Sequence, residues 1–288
     1  MKWQGIVEFV SVAESQSFSN TAKRLSISTA QVSRQISTLE ERLKVKLFYR
    51  TTRRVSLTEE GQLFYEHCRH LLDGIDAAEQ AVTHHQSNPR GKISLTAPVT
   101  YGEKKILPLI NEFVARYDGI EITADLSNHQ VDMIEGGFDL AIRIGPQPDS
   151  SLVAKKISQR ANYICASQKY LELHGLPKTP SDLKSHNCLL GTHDHWRLSE
   201  HGKSRNVKVK GNLRYNSGLS LLDAAKKGLG IVQLSDYFLL DHIQSGELVS
   251  LLEPYSPPKE DIWAVYPQSR YLPSKIRLLI EFLAKELT

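Results

Sequence analysis

The sequence has few cysteines and no long apolar run, and both absences limit what the protein can be. Its 288 residues include only three cysteines, Cys68, Cys165 and Cys188. This number is odd and too small for a disulfide framework, which favours a reducing compartment. No apolar run approaches the roughly 18 residues that a membrane-spanning helix needs. The N-terminus also lacks the layout of a signal peptide, so the expected location is the cytoplasm.

Motifs for catalysis and metal binding are missing as well. The sequence contains no Gly-x-Ser-x-Gly elbow, no glycine-rich phosphate loop, no His-Glu-x-x-His and no paired-cysteine zinc site. His193-Asp194-His195 and His84-His85 are weak metal candidates, because a short loop motif or two adjacent helical residues make a poor chelate. We therefore predict no catalytic residue, no metal and no cofactor.

Positive charge is concentrated in one short segment. The chain as a whole carries a net charge of +4, whereas residues 23–54 hold nine basic and two acidic side chains, a net charge of +7. Residues 91–288 carry 24 basic and 22 acidic side chains. A confined basic patch is typical of a protein that binds a polyanion. A solvated basic face without a partner is the alternative interpretation.

Apolar spacing predicts three helices in the first 58 residues. The first ends near Glu14, and a short second helix is capped by Ser19 or Asn20. Ser28 caps the third, whose buried stripe repeats every three or four residues through Val32, Ile36, Leu39 and Leu43. A short helix, a tight turn and a longer helix form a helix-turn-helix. A plain helical hairpin with a polar surface is the alternative.

The polar face of the third helix has side chains that suit a DNA major groove. Glutamine can pair with adenine, arginine with guanine, and small side chains can contact the thymine methyl group. The residues concerned are Thr29, Ala30, Gln31, Ser33, Arg34 and Gln35. The alternation that follows predicts a short two-stranded wing, whose tip is placed to contact phosphates or the minor groove. The predicted wing contacts are Arg50, Thr51, Arg53 and Arg54.

The N-terminal sequence closely resembles the LysR-type transcriptional regulators of bacteria. The matching run begins at Ser17-Phe18-Ser19, passes through Val32-Ser33-Arg34-Gln35-Ile36, and ends at Leu57-Thr58-Glu59-Glu60-Gly61. Thr29-Ala30 departs from the pattern, since many members have Gln-Pro or a similar pair there. The resemblance therefore implies the fold of the DNA-binding domain but does not supply a base preference.

The resemblance implies a domain plan. We expect a mainly α winged helix-turn-helix (residues 1–58), a linker and dimerisation helix (59–86), a hinge (87–91) and an α/β effector-binding domain (92–288). The resemblance also implies the partners: promoter DNA with an interrupted palindrome, a small-molecule effector, and a second copy in a homodimer or dimer of dimers. RNA polymerase is considered as a further partner, and no membrane is expected.

The predicted linker helix carries a heptad seam. Thr58 can cap it, with Glu59 and Glu60 in its first turn. The seam follows spacings of four and three through Phe64, Cys68, Leu71, Ile75, Ala78 and Val82. We expect this seam to pair with a second copy, and packing against the protein's own body is the alternative. Cys68 is interpreted as a buried thiol rather than a redox switch.

Residues 92–288 alternate between strand and helix patterns, which predicts parallel sheets covered by helices. The predicted strands lie at 93–96, 120–126, 140–144, 162–166, 207–210, 230–234 and 262–266. The predicted helices lie at 103–117, 131–136, 219–227, 237–243 and 274–287. The resemblance implies two halves like those of periplasmic binding proteins, with crossovers near 159–164 and 260–264. Half I then comprises about 92–160 and 264–288, and half II about 161–263.

The effector is expected where strands end and helices begin, because free N–H groups there favour anions. By resemblance, the converging residues are Pro98, Val99, Thr100, Tyr101, His129, Arg143, Ile144, Asn216, Ser217 and Gly218. Thr100 and Ser217 are equally good helix caps, and Arg143 could instead pair with Asp139 or Asp132. Arg143 is the only candidate cation and His129 can charge near neutral pH, so we expect a carboxylate or another small anion. A neutral or hydrophobic ligand stays open.

Two rival functions remain at this point. One is an enzyme fused to a DNA-binding segment, and the other is an architectural DNA-binding protein whose large domain merely oligomerises. A ligand-sensing regulator accounts for the DNA reader, the dimer helix and the hinged pocket together. We therefore predict that the protein is not an enzyme.

Overall fold

The computed structural model describes residues 3–50, 55–83, 89–129, 131–133, 135–147, 152–200, 202–268 and 272–287. The chain divides into two compact units, and the first division falls between Pro89 and Arg90. None of the described helices is both long and apolar enough to cross a membrane.

The N-terminal unit is a winged helix-turn-helix followed by a long helix. Its elements are α1 (Ile6–Ser15), α2 (Phe18–Arg24), α3 (Thr29–Leu43), β1 (Phe48–Arg50), β2 (Val55–Leu57) and α4 (Glu59–Thr83). β1 and β2 pair antiparallel. Ser17 caps α2 by accepting a hydrogen bond from Asn20 N, so the predicted cap at Ser19 or Asn20 is wrong by two or three residues. Ser28 caps α3 as predicted.

A single apolar core joins these elements. Phe9 of α1 lies against Phe48 of β1 and Phe64 of α4, with both pairs of ring centroids 5.3 Å apart. Val32, Ile36 and Leu39 of α3 are buried in the same core, as their spacing predicted. Such burial stabilises the domain by roughly 1.5–3 kcal/mol for each large apolar side chain.

Half I of the second unit is built on a five-stranded mixed sheet. Its elements are β3 (Gly91–Ala97), α5 (Val99–Tyr101), a π-helical turn (Gly102–Ile106), α6 (Leu107–Arg116), β4 (Ile120–Leu126), β5 (Leu140–Ile144), β6 (Leu152–Arg160), β12 (Glu260–Pro267) and α10 (Ser274–Glu286). The strand order is β4-β3-β5-β12-β6. β3 pairs parallel with β4 and β5, as predicted, whereas β12 runs antiparallel to β5 and β6.

Half II has a different sheet from the one predicted. Its elements are β7 (Asn162–Ala166), α7 (Gln168–His174), β8 (His195–Glu200), β9 (Lys203–Lys208), α8 (Gly218–Lys226), β10 (Val232–Ser235), α9 (Asp236–Gln244) and β11 (Val249–Leu251). β7 is the centre of the sheet and pairs antiparallel with β10 and β11. The prediction of a parallel sheet is wrong here, because both neighbours of β7 run antiparallel to it. β8 and β9 form a separate hairpin, which the alternation of strand and helix patterns did not reveal.

Two further predictions need correction. The segment 131–136 was expected to be a helix, but its described residues form turns in which Gly136 N donates to Asp132 O and Phe138 N donates to Met133 O. β12 begins at Glu260 and pairs with β6 from Glu260 opposite Arg160 to Pro267 opposite Leu152. The second segment of half I therefore begins at residue 260, about four residues before the predicted boundary at residue 264.

Candidate functional site

The exposed face of α3 brings together most of the residues that were predicted to read DNA. Thr29, Ala30, Gln31 and Arg34 are exposed, while Ser33 is half-buried. This face carries short polar side chains and one guanidinium near the N-terminal end of the helix. Short, exposed side chains of this kind can approach base edges in a major groove.

Gln35 lies differently from its predicted neighbours. It is half-buried, and its Oε1 atom is shielded from water without a hydrogen-bond partner among the described residues. A shielded amide oxygen is not displayed to a groove. Gln35 is therefore not part of the exposed reading face.

Arg50 is tied to the body of the domain rather than extended from the wing. Its Nη2 lies 3.5 Å from Glu40 Oε2, and its Nη1 donates to Ser33 Oγ over 3.4 Å. Its guanidinium also lies over the Phe18 ring, 4.9 Å from the centroid. The other predicted wing residues, Thr51, Arg53 and Arg54, lie outside the described residues.

Glu40 is a buried carboxylate that gathers hydrogen-bond donors from the start of the wing. Its Oε1 accepts hydrogen bonds from Leu47 N at 2.9 Å and Phe48 N at 3.4 Å, and its Oε2 pairs with Lys46 Nζ at 2.9 Å. Burial alone would raise the pKa of Glu40. The hydrogen bond from Leu47 N, together with Lys46 and Arg50, outweighs burial and lowers the pKa below its ordinary value.

The predicted seam of α4 has two different environments. Phe64 and Cys68 pack into the core of the winged helix, and burial raises the pKa of the Cys68 thiol to about 11. These two residues pack against the protein's own body, which is the alternative that the sequence left open. Leu71 and Ile75 each keep 50% of their surface exposed, so they are available to a partner. The side chains of Ala78 and Val82 lie outside the described residues.

A cleft of about 270 Å³ lies between half I and half II. Half I supplies the start of its helical segment and the end of β6, and half II supplies β10, α8, α9 and the loops before them. The lining residues are Pro98, Thr100, Tyr101, Asn128, Arg160, Asn162, Gly191, Thr192, Tyr215, Asn216, Gly218, Leu221, Gln233, Leu234, Ser235, Tyr237 and Phe238. Arg160 is the one charged side chain among these described residues, and no carboxylate lines the cleft.

Arg160 is held in the cleft by a neighbouring carboxylate. Its Nε and Nη2 lie 2.9 and 2.8 Å from Glu260 Oε2, and its Nη1 donates to the Tyr237 hydroxyl over 3.1 Å. Asn162 Nδ2 donates to the same Glu260 oxygen, and Arg197 pairs with the other. Burial would raise the pKa of Glu260, but Arg160 and Arg197 outweigh it and lower that pKa. These two arginines and one carboxylate together carry a net charge of +1.

Family models and relatives match the same two regions. Residues 3–62 match the model "Bacterial regulatory helix-turn-helix protein, lysR family", and residues 86–288 match "LysR substrate binding domain". This chain belongs to the LysR family.

Relatives of this LysR-family chain match it over nearly its whole length. A transcriptional regulator of Haemophilus influenzae is 37% identical over 96% of this chain and 97% of its own. The transcriptional activator TtdR of Escherichia coli is 33% identical over 96% of this chain and 90% of its own. The full-length virulence activator AphB of Vibrio cholerae has 30% identity and a TM-score of 0.64, with 99% of both chains covered. All three are named as regulators or activators, so this LysR-type chain is a transcriptional regulator with a substrate-binding domain and not an enzyme.

The cleft of this LysR-type regulator contains half of the predicted effector residues. Pro98, Thr100, Tyr101, Asn216 and Gly218 line it. Val99, His129, Ile144 and Ser217 do not. Ser217 instead caps α8 by accepting a hydrogen bond from Ser220 N, which is the alternative that the sequence left open.

Arg143 does not line the cleft, although it was predicted to be the cation there. It pairs across the sheet with Trp263, and its Nη2 donates to Val131 O over 3.3 Å. Side chains alternate along a strand, so Arg143 lies on the same face as Ala141, which packs with Met133 and Phe138. Burial lowers the pKa of Arg143. It lies outside the cleft lining, in which the charged side chain is Arg160.

Sequence reasoning missed Arg160, Asn162 and the cleft-lining residues of β10 and α9. Arg160 and Asn162 both fall within the crossover that was predicted at 159–164. Their position in the sequence was therefore a signal that they lie between the two halves. Both side chains reach a carboxylate about 100 residues away in the chain. No local spacing could have paired them.

Proposed function

We propose that this LysR-type regulator binds a promoter palindrome through α3 and its wing and is controlled by a small anionic effector held in the cleft. The observation that carries the effector class is the charge of the cleft lining. Arg160 supplies a cation there, and no carboxylate among the described lining residues opposes an anion. Polar side chains such as Thr100, Asn128 and Asn216 provide further hydrogen-bonding groups.

The geometry of Arg160 suits a carboxylate. A guanidinium has five N–H donors, and contacts with Glu260 and Tyr237 use three of them. One N–H on Nη1 and one on Nη2 remain for a ligand, and a carboxylate can accept two such bonds at once. Glu260 also fixes the orientation of the guanidinium before the ligand arrives, which lowers the entropy cost of binding.

The test of effector class is calorimetry and thermal shift of the full chain with a panel of small mono- and dicarboxylic acids and their neutral amides. We expect binding of acids over amides, weakened by about tenfold to hundredfold in Arg160→Gln, because a charge-assisted hydrogen bond contributes roughly 1.5–3 kcal/mol. Arg143→Gln is the matched control and should bind like the wild type. Binding of amides alone, or loss of acid binding in Arg143→Gln only, would contradict the proposal.

We infer that DNA recognition depends on Arg34. Because Arg34 is exposed on α3, Arg34→Ala should cost roughly 1–3 kcal/mol of binding free energy and relax preference at one base pair. Arg53→Ala should instead weaken binding to all sequences and reduce the salt slope by about one unit. Fluorescence anisotropy at several salt concentrations checks both. Unchanged affinity in both variants would contradict the assignment.

We infer that two copies associate through α4 at Leu71 and Ile75. Half-exposed leucine and isoleucine on a long helix favour a partner helix, and a second copy supplies a matching surface. Leu71→Glu would place like charges opposite each other and should dissociate the dimer in analytical ultracentrifugation. Gln62→Glu adds the same charge on the opposite face of α4 and should leave the dimer intact. Dimers that persist in Leu71→Glu would indicate another interface.

A further inference from the structure

Arg50 lies beside the reading face of α3, which the sequence did not predict. Its contacts come from three residues on two helices: Ser33 and Glu40 on α3, and the Phe18 ring at the start of α2. Its side chain nevertheless keeps 32% of its surface exposed. A guanidinium with five N–H donors that makes two such contacts retains three donors for another partner.

Glu40 is the fixed point of this arrangement. Its side chain is only 2% exposed, and two backbone N–H groups at the start of the wing hold one of its oxygens. A buried carboxylate with this many donors has little freedom to move. Its second oxygen lies 3.5 Å from Arg50 Nη2 and therefore restrains the position of that guanidinium relative to α3 before any DNA is bound.

We propose that Glu40 is a positioning residue that orients Arg50 beside Ser33, so that Arg50 takes part in base discrimination and not only in phosphate contact. The inference rests on the proposed DNA binding by α3. Arginine is the side chain that best distinguishes guanine through O6 and N7, and it also reads narrow minor grooves. Such reading needs a fixed guanidinium, because a flexible one contacts phosphates of any sequence equally well.

Lys46 provides a matched control within the same carboxylate cluster. It pairs with the same Oε2 atom of Glu40, but its side chain is 76% exposed. Removing the charge of Lys46 tests whether the loss of any ion-pair partner of Glu40 reduces the discrimination between DNA sequences. The inference requires that Lys46 contribute general attraction to DNA and no discrimination.

The experiment compares the affinities of variants for two DNA duplexes. One duplex is selected by the wild-type full chain from a random-sequence pool, and the other is a scrambled version of it. Affinities are measured by fluorescence anisotropy for the wild type, Glu40→Gln, Arg50→Gln, Lys46→Gln and the double variant Glu40→Gln with Arg50→Gln. Discrimination is the ratio of the two affinities, which a general loss of binding does not change. Circular dichroism and urea unfolding verify that each variant is folded.

We expect Glu40→Gln and Arg50→Gln each to reduce discrimination by about tenfold, and the double variant to be no worse than either alone. Lys46→Gln should weaken both duplexes equally. Wild-type discrimination in Glu40→Gln, or reductions that multiply in the double variant, would overturn the inference. If Glu40→Gln does not fold, Glu40→Asp replaces it, because the shorter side chain withdraws the carboxylate from Arg50 while keeping its charge. Wild-type discrimination in Glu40→Asp or in Arg50→Gln would then overturn the inference. A wild type that selects no DNA would refute the proposed function itself.

Discussion

The two units of this LysR-type regulator each contain a buried carboxylate surrounded by donors, and the two clusters differ in how far apart their members lie in the chain. Glu40 binds groups six to ten residues away, at the start of the wing. Glu260 binds Arg160 and Asn162, which are 100 and 98 residues away, and Arg197 of the β8–β9 hairpin. The Glu40 cluster stabilises a local turn. The Glu260 cluster instead connects the strands at the crossover between the two halves.

This difference has a functional consequence. The Glu40 cluster lies beside the proposed DNA-reading face and prepares a rigid surface. The Glu260 cluster lies where the chain passes between half I and half II, and two of its members line the cleft. A ligand that binds Arg160 therefore contacts the residues that connect the two halves. If the proposed effector binds Arg160, we expect its binding to be linked to the arrangement of the halves through Glu260.

The largest expected effect comes from breaking the long-range cluster. Glu260→Ala leaves Arg160 without its partner in a mostly buried site and should cost about 3 kcal/mol, the low end of the range for a broken buried pair, since Arg197 is half exposed. Glu40→Ala should cost less, about 2 kcal/mol, because the exposed Lys46 retains its hydration. Urea unfolding followed by fluorescence of the buried Trp196 and by circular dichroism measures both. Glu253→Ala, at an exposed carboxyl, should change neither. A larger loss in Glu40→Ala would reverse the comparison.

Two glycines of α4, Gly61 and Gly74, test how much the short-range contacts of the N-terminal unit contribute to its stability. A Cβ at Gly61 would lie only 2.0 Å from Leu47 O, so Gly61→Ala must push α4 away from the wing and should cost about 1–3 kcal/mol. Gly74 lies on the same helix, and among the described residues no atom outside the adjoining helix backbone comes within 4 Å of its Cβ position. Gly74→Ala should stabilise α4 by about 0.5–1 kcal/mol through helix propensity. Hydrogen exchange of the α4 amides measures both changes, and equal effects would show that the contact with Leu47 is unimportant.

The smallest expected effect is the pH dependence of the two carboxylates. Burial would raise the pKa of both groups, but the surrounding donors lower each one below its unfolded value near 4.5. A carboxyl with a lowered pKa in the folded state adds stability above that unfolded value and loses it as the pH falls through the folded pKa. The free energy of unfolding should therefore fall below about pH 5. The fall should be shallower in Glu40→Gln, which lacks the carboxyl facing Lys46 and Arg50, and in Glu260→Gln, which lacks the one facing Arg160 and Arg197. An unchanged slope in both variants would contradict the assigned pKa shifts.

Much of the N-terminal unit could be predicted because its determinants are local. The apolar spacing of Val32, Ile36 and Leu39 and the cap at Ser28 define α3 within a few residues, and the structure confirms both. The proposed dimer seam on α4 was harder to predict, since Phe64 and Cys68 have the same spacing in the sequence as Leu71 and Ile75. Only the packing of the winged helix against the first turns of α4 separates the two pairs.

Local patterns were enough to predict the DNA-binding fold, the linker helix and the α/β character of the second unit, because periodicity and capping act between residues a few positions apart. They were not enough to predict which arginine enters the cleft. Arg143 and Arg160 both lie on strands near crossings of the chain, and no local pattern distinguishes them. Strand register decides, because it places Arg143 opposite Trp263 and Arg160 opposite Glu260, and each partner is more than 90 residues away.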